Sequence, residues 1–177
     1  IEVVATDHQN KADVANSKAQ EMYDRQKADI ILDVPNSAAA LAVATQAKNK
    51  KKLYINIGAG TTALTGASCN DYTFHWAYNT AALARGTAAT ITKAGGTSWN
   101  IVYPDYAFGQ AFQDDATRFI QAAGGKVVGS VKHPLGATDF SSYLLQAQAS
   151  GAQAIVILNA GLDLSNALKQ AAEYKLT

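Results

Sequence analysis

Short apolar runs alternate with segments of helical spacing along most of the chain. In the first half, this pattern predicts strands at residues 1–5, 28–32 and 53–57, with helices at residues 11–23 and 38–48. The aromatic-rich segment 72–78 is predicted to be extended. Strands that alternate with helices of this length are typical of βα units, and therefore of a parallel sheet.

The second half repeats the order helix, glycine, strand. Gly95, Gly124 and Gly151 each follow a predicted helix and precede a predicted strand, at residues 99–103, 126–131 and 154–158. Glycine tolerates the left-handed conformation that commonly ends a helix. Further helices are predicted at residues 81–94, 108–123, 140–149 and 162–174. The strand at 154–158 is apolar throughout, as a parallel sheet covered on both faces requires. The fold class is therefore α/β.

The change of pattern near the middle of the chain predicts two lobes. The first covers residues 1–80 and includes a hinge crossing near 72–80, and the second covers residues 81–177. Each half holds few strands for a complete lobe. We expect a chain truncated at both ends, with an unusually small α/β protein as the alternative.

Charge and composition exclude some classes of function. Fifteen basic and fourteen acidic residues give a net charge of +1, which offers no basic face for nucleic acid. No apolar run approaches the roughly 18 residues of a membrane span. The single cysteine, Cys69, cannot form an internal disulfide.

Ligands of open parallel sheets bind beyond the carboxyl ends of the strands. The loops at these ends are 33–37, 58–62, 104–109 and 159–163, and they contain hydroxyls, amides, glycines and aromatic rings. We expect the hydroxyls and the close backbone approach in the first two loops to hold a carboxylate, and the other two loops to contact the rest of the ligand. The predicted contacts are Ser37, Gly58, Gly60, Thr61, Tyr106, Phe108, Asn159 and Asp163. The alternative is that Ser37 and Asp163 only cap helices, and that Gly58 and Gly60 only form a turn.

The sequence contains no enzymatic motif in its usual structural context. Gly58-x-Gly60-x-x-Ala63 matches a relaxed dinucleotide-binding pattern, but the sequence after it leaves no room for the long helix that such a loop opens. A P-loop and a Gly-x-Ser-x-Gly nucleophile motif are absent from the sequence. His8, His75 and His133 have no metal-ligand spacing. His75 is predicted to be hydrogen-bonded at the hinge rather than catalytic. We predict no catalytic residue, metal or cofactor.

Several motifs occur in a characteristic order along the chain. They are Pro-Asn-Ser at 35–37, Gly-Ala-Gly-Thr-Thr-Ala-Leu-Thr-Gly at 58–66, Thr-Phe-His-Trp-Ala-Tyr at 73–78, Tyr-Pro-Asp-Tyr-Ala-Phe-Gly at 103–109 and Asn-Ala-Gly at 159–161. In this order they resemble the branched-chain amino-acid type of ABC-transporter periplasmic binding proteins. The resemblance runs across essentially the whole chain. It implies a two-lobed type I fold that closes on a small carboxylate and delivers it to an ABC permease in the inner membrane. The implied location is periplasmic, or extracellular with a membrane anchor.

By position in that family, Ser37 and the backbone around Ala59, Gly60 and Thr61 take the ligand carboxylate. Phe108, with Tyr106 nearby, walls the ligand, and Asn159 and Asp163 face the pocket from the second lobe. The family often has a hydroxyl where Gly60 stands. Its acidic partner for an α-amino group falls outside these residues, so the ligand stays open between an amino acid and an aromatic acid. Two other functions also stay open: a ligand sensor of the same fold and, less favoured, a nucleotide-dependent enzyme.

Overall fold

The computed structural model describes residues 1–76 and 78–176, and within them the chain divides into two compact units, Ile1–Asn79 and Thr80–Thr177. The predicted assignment of residues 1–80 and 81–177 to two lobes stays a prediction. Ala77, in the predicted hinge crossing, lies outside the described residues.

The first unit is a parallel sheet with helices packed on it. Its order is α1 (Ala12–Asp24), β1 (Ile30–Leu32), α2 (Ser37–Lys50), β2 (Leu53–Asn56), a 3₁₀ helix (Thr62–Leu64) and β3 (Thr73–His75). The strands lie in the order β1-β2-β3, and both pairs are parallel. Alanines of α1 and α2 are buried around Tyr54 and Ile31, so that small side chains bring the helices close to the sheet.

The predicted strand at residues 1–5 is wrong. Residues 1–8 adopt no regular secondary structure, and Ile1 and Val3 are exposed. The physical reason is pairing: the described sheet joins β2 to β1 and β3, and no ladder includes residues 1–5. An apolar run without a partner strand has no backbone hydrogen bonds to hold it extended.

The second unit is a parallel sheet between two layers of helices. Its order is α3 (Thr80–Lys93), β4 (Ser98–Pro104), α4 (Ala107–Ala122), β5 (Lys126–His133), α5 (Ser141–Ala149), β6 (Ala154–Ile157) and α6 (Gly161–Glu173). The strands lie in the order β5-β4-β6, all parallel. One apolar cluster joins α3 and α4 to Trp99 and Ile101, and another joins α5 to α6. The central strand β4 is consequently buried on both faces.

The helix ends predicted at three glycines are confirmed. Gly95, Gly124 and Gly151 have φ of +106°, +88° and +67°. The parallel α/β class predicted from the alternating pattern is also confirmed.

Candidate ligand-binding site

In the first unit, one buried side chain joins the loops that follow β1 and β2. Asn56, the last residue of β2, is fully buried, and its Nδ2 lies 2.8 Å from the Asp33 carbonyl oxygen and 3.0 Å from that of Val34. Its Oδ1 accepts the Ala59 N–H at 3.0 Å. Because one amide bonds both loops, the backbone after β1 is fixed against the backbone after β2.

Gly58 permits the close contact between these loops. A Cβ added at Gly58 would lie 2.6 Å from Asp33 Oδ1 and 3.0 Å from Pro35 Cα. On the other side of the contact, Asp33 and Val34 have φ of +71° and +74°. A β-branched residue such as Val34 is rarely found at positive φ. Contacts with the loop after β2 therefore hold the loop after β1 in a costly conformation.

Ser37 presents a buried hydroxyl at the start of α2. The cap of this helix is Asn36, whose Oδ1 accepts the Ala39 N–H at 3.0 Å, so the alternative that Ser37 caps the helix is wrong. Ser37 is fully buried, and its Oγ has no hydrogen-bond partner within residues 1–76 and 78–176. A buried hydroxyl without a partner is costly, which makes Ser37 a candidate to bond a ligand.

The segment Ala59-Gly60-Thr61 is buried and already partly bonded. The Ala59 N–H donates to Asn56, and the Ala59 carbonyl lies 2.7 Å from His75 Nε2, which donates to it. Thr61 Oγ1 accepts the Ala63 N–H at 3.3 Å and so caps the 3₁₀ helix. Thr61 is therefore better placed than Ala59 to donate to a ligand, since the Ala59 amide is already used.

The second unit supplies an aromatic cluster at the start of α4. Tyr106 precedes the helix, with its ring centroid 6.0 Å from that of Phe108, which lies 5.5 Å from Phe112. Phe108 is buried. A Cβ added at Gly109 would overlap the Pro104 carbonyl oxygen, so glycine at this position lets α4 begin directly against the end of β4.

The loops after β5 and β6 are joined by a buried polar network. His133 Nε2 lies 2.9 Å from Asn159 Oδ1, and Asn159 Nδ2 lies 3.4 Å from the Asp163 carbonyl oxygen. The Asp163 carboxylate accepts the Gly136 N–H at 2.9 Å. Asp163 therefore binds the turn after β5 rather than capping its own helix, whose cap residue Ala160 makes no side-chain bond.

The nine predicted contacts consequently fall into two groups. Ser37, Gly58, Ala59, Gly60 and Thr61 lie in the first unit, and Tyr106, Phe108, Asn159 and Asp163 lie in the second. Within each unit they sit at the carboxyl ends of parallel strands, where the sequence places them.

Asn56 and His133 were missed by the sequence analysis. Each is a buried polar residue at the last position of its strand, and each bonds a predicted contact residue. That position was the available signal, since a polar side chain there must find a buried partner.

Three titratable groups beside the predicted contacts have shifted pKa values. A hydrogen bond from Lys132, at 2.9 Å, holds the pKa of Asp105 below its ordinary value, and the same pair raises the pKa of Lys132. In the first unit, burial raises the pKa of Tyr54, whose hydroxyl donates to the Asp33 carbonyl at 2.9 Å.

The geometry around Gly58 does not match a dinucleotide site. The loop leads into the three-residue 3₁₀ helix Thr62–Leu64 and not into a long helix. Among the described residues, no group of three metal-ligating side chains is present. Over the same residues, no helix has the length and apolar character that a membrane span requires.

Comparison with known proteins decides the family. The family model described as periplasmic binding protein matches residues 1–177. The chain belongs to this family. Its fold is the type I fold of periplasmic binding proteins, with parallel α/β units in two sheets.

Several solved structures are similar to almost the whole of this chain. A periplasmic binding protein from Burkholderia mallei is 51% identical, with a TM-score of 0.97 over 99% of this chain and 47% of its own. A branched-chain amino-acid ABC transporter periplasmic ligand-binding protein from Burkholderia xenovorans LB400 is 40% identical, with a TM-score of 0.76 over 99% of this chain and 47% of its own.

A third similar structure was solved with an aromatic acid. This solute-binding protein of an ABC transporter from Rhodopseudomonas palustris BisB5, in complex with 3,4-dihydroxybenzoic acid, is 26% identical, with a TM-score of 0.89 over 99% of this chain and 48% of its own. The chain thus spans about half the length of these three proteins. No curated protein matches it.

Proposed function

We propose that this chain is part of an extracytoplasmic solute-binding protein of an ABC importer, and that it binds a small carboxylate. Ser37, Gly60 and Thr61 hold the carboxylate, next to the backbone fixed by Gly58 and Ala59. Tyr106 and Phe108 wall the body of the ligand, and Asn159 and Asp163 contact its far end. The ligand is passed to a membrane permease of the importer, and the protein performs no chemical step.

The observation that carries this proposal is the unpaired hydroxyl of Ser37. Among the described residues it is buried without a partner, directly after the capping residue of α2. The first turn of a helix has free N–H groups and a partial positive charge, which favour an anion. A buried hydroxyl that accompanies such N–H groups donates a charge-assisted hydrogen bond to a carboxylate.

The loops of the first unit are suited to hold an anion without rearrangement. Asn56 and Gly58 fix the loop 33–37 against the segment 57–61 before any ligand arrives. A site whose donors are already ordered loses less conformational entropy on binding, so the hydrogen bonds to the ligand contribute more to affinity.

An aromatic cluster of the second unit and two relatives support the proposed class of ligand. The cluster of Tyr106, Phe108 and Phe112 offers apolar surface to an aromatic ring or a branched aliphatic side chain. One relative was solved with 3,4-dihydroxybenzoic acid, and another is the periplasmic ligand-binding protein of a branched-chain amino-acid ABC transporter. We therefore propose a carboxylate with an apolar body as the ligand.

Calorimetric titration of the full-length protein with L-leucine and with 3,4-dihydroxybenzoate tests the proposal. We expect saturable one-site binding of at least one of these acids, weakened in the variant Ser37→Ala. The exposed serine of α1 provides the control Ser17→Ala, which should bind like the parent protein. Absence of binding across a wider panel of amino acids and aromatic acids would overturn the proposal.

A further inference from the structure

The hydrogen-bond partners of His133 determine which of its ring nitrogens must be protonated. The ring is buried, with Nδ1 2.8 Å from the Pro134 carbonyl oxygen and Nε2 2.9 Å from Asn159 Oδ1. Carbonyl oxygens only accept hydrogen bonds, and a neutral imidazole has a single N–H. Both bonds form together only when both ring nitrogens carry a proton.

Of the two groups bonded to the ring, one is fixed in the backbone and the other is a side chain that can rotate. The Pro134 carbonyl belongs to the backbone, so Nδ1 must carry a proton to bond it in either charge state. Asn159 is a side chain, and its amide can turn. When Nε2 carries a proton, Asn159 Oδ1 faces the ring, as observed; when Nε2 lacks it, Asn159 must offer its NH₂ group instead.

The direction of this amide decides what remains for a ligand. With Oδ1 bonded to His133, the Nδ2 group is left, and its one bond to the Asp163 carbonyl is long at 3.4 Å. An amide nitrogen has two hydrogens, so it can still donate to an oxygen of a ligand. With the amide turned, Asn159 would present an acceptor.

We propose that His133 is a positioning residue whose Nε2 proton sets which end of the Asn159 amide is available to a ligand. In the observed arrangement the available group is an N–H, which selects a ligand oxygen such as a carboxylate, carbonyl or hydroxyl. This consequence for the ligand rests on the proposed function, whereas the coupling between the two side chains does not.

The other groups around His133 are accounted for. On the side of β4, Asp105 donates its backbone N–H to the His133 carbonyl at 2.7 Å, and its carboxylate is paired with Lys132. From α6, the Asp163 carboxylate bonds the Gly136 N–H. Tyr143 of α5 lies 5.7 Å from the ring, centroid to centroid.

The remaining charged side chains have partners of their own or are exposed. Asp139, just before α5, accepts the Ser141 N–H at 2.9 Å. On α4, which also packs on β5, Asp115 is paired with Arg118, and Asp114 is exposed. His133 therefore remains the group whose proton most directly controls Asn159.

Nuclear magnetic resonance of ¹⁵N-labelled full-length protein tests the coupling without any ligand. The His133 ring nitrogens and the Asn159 NH₂ group are followed between pH 5 and 8.5, the range in which histidine ordinarily changes charge. We expect the Asn159 signals to shift with the protonation of Nε2, with one shared midpoint. Asn159 signals that ignore the charge of His133 would overturn the proposal.

The variant His133→Gln separates positioning from mere packing. Glutamine has an N–H for Asn159 Oδ1 at every pH and no proton to lose in this range, so the Asn159 signals should no longer change with pH. The control His8→Gln should leave the titration of Asn159 unchanged. A folded His133→Gln protein whose Asn159 signals still change with the midpoint of the parent protein would contradict the proposal. If the variant fails to fold, the titration of the parent protein still decides.

Ligand titration tests the functional consequence separately. The affinity of the parent protein for 3,4-dihydroxybenzoate should fall about tenfold as the pH rises through the shared midpoint, as expected when one hydrogen bond is lost. His133→Gln should abolish this dependence. If no acid binds, the proposed function fails while the magnetic-resonance result still decides the coupling. A pH-independent affinity alongside a titrating Asn159 would contradict the consequence for the ligand alone.

Discussion

Asn56 fixes Ala59: its Oδ1 accepts the Ala59 N–H at 3.0 Å while its Nδ2 donates to the carbonyl oxygens of Asp33 and Val34. The bond joins the end of β2 to the loop that is proposed to hold a ligand carboxylate. Since Asn56 is buried, the orientation of its amide is determined by acceptors on one side and a donor on the other.

Replacing this amide by a carboxylate should damage both stability and binding. In Asn56→Asp, an oxygen replaces Nδ2 and faces the carbonyl oxygens of Asp33 and Val34, so the bonds become repulsive. We expect the free energy of unfolding to fall by about 3 kcal/mol in urea titrations. The control Asn49→Asp places the same charge on the exposed face of α2 and should be close to neutral. Equal stability of the two variants would show that Asn56 does not hold the loops.

Removing the Ser37 hydroxyl should affect ligand affinity but not stability. Its Oγ has no partner among the described residues, so Ser37→Ala removes no hydrogen bond of the unliganded protein. We expect an unfolding free energy equal to or slightly above that of the parent, and a ligand affinity lower by about 10- to 100-fold, as for a hydrogen bond to a charged group. A clear loss of stability without loss of affinity would assign Ser37 to the fold and not to the site.

Two glycine substitutions should have opposite effects on stability. Gly58→Ala places a methyl group 2.6 Å from Asp33 Oδ1 and should cost about 1–3 kcal/mol, because the loops must separate. Gly86→Ala, within α3, meets no atom within 4 Å and should stabilise by up to about 1 kcal/mol. Thermal unfolding of both variants checks this pair, and a stable Gly58→Ala protein would refute the close contact.

Much of the fold follows from the sequence because its signals are local. The parallel units are marked by apolar runs, and the helix ends at Gly95, Gly124 and Gly151 need only neighbouring residues to be recognised. The strand expected at residues 1–5 fails for the complementary reason. An apolar run indicates that a segment could join a sheet, but a strand also needs a partner strand. The described sheet has no strand paired with these residues.

The site is less predictable because its key bonds join distant parts of the chain. The sequence places Ser37 and Thr61 beyond the carboxyl ends of β1 and β2. It does not show that Asn36 caps α2 and that the Ser37 hydroxyl has no partner among the described residues. The bond between His133 and Asn159 depends on the order β5-β4-β6 and on the path of the loops. Such side-chain pairs become visible only when the strands are assembled.

Stability at alkaline pH should depend on Tyr23. Burial raises the pKa of Tyr23 to about 12 from 10.0, and its hydroxyl donates to the Leu53 carbonyl at 3.0 Å. A folded-state pKa above the unfolded value means that this stabilisation is complete below pH 10 and is lost as the pH rises from 10 towards 12.

Urea unfolding of Tyr23→Phe between pH 8 and 11 checks this prediction. The variant should lose about 1 kcal/mol near pH 8 and show a shallower decline of stability above pH 10. Tyr78→Phe, at an exposed position, should retain the slope of the parent protein. An unchanged slope in Tyr23→Phe would assign the alkaline loss to another group, such as the buried Tyr54.

The proposed preference for an anionic ligand is tested most directly by comparing the affinity of an acid with that of its own carboxamide. For whichever acid binds the full-length protein, the amide keeps the size and the apolar body, removes the charge and replaces one acceptor oxygen by an NH₂ group. We predict that the carboxamide binds at least about 100-fold more weakly, since charge-assisted bonds from Ser37 and the helix start are lost. Equal affinity of acid and carboxamide would contradict a carboxylate site.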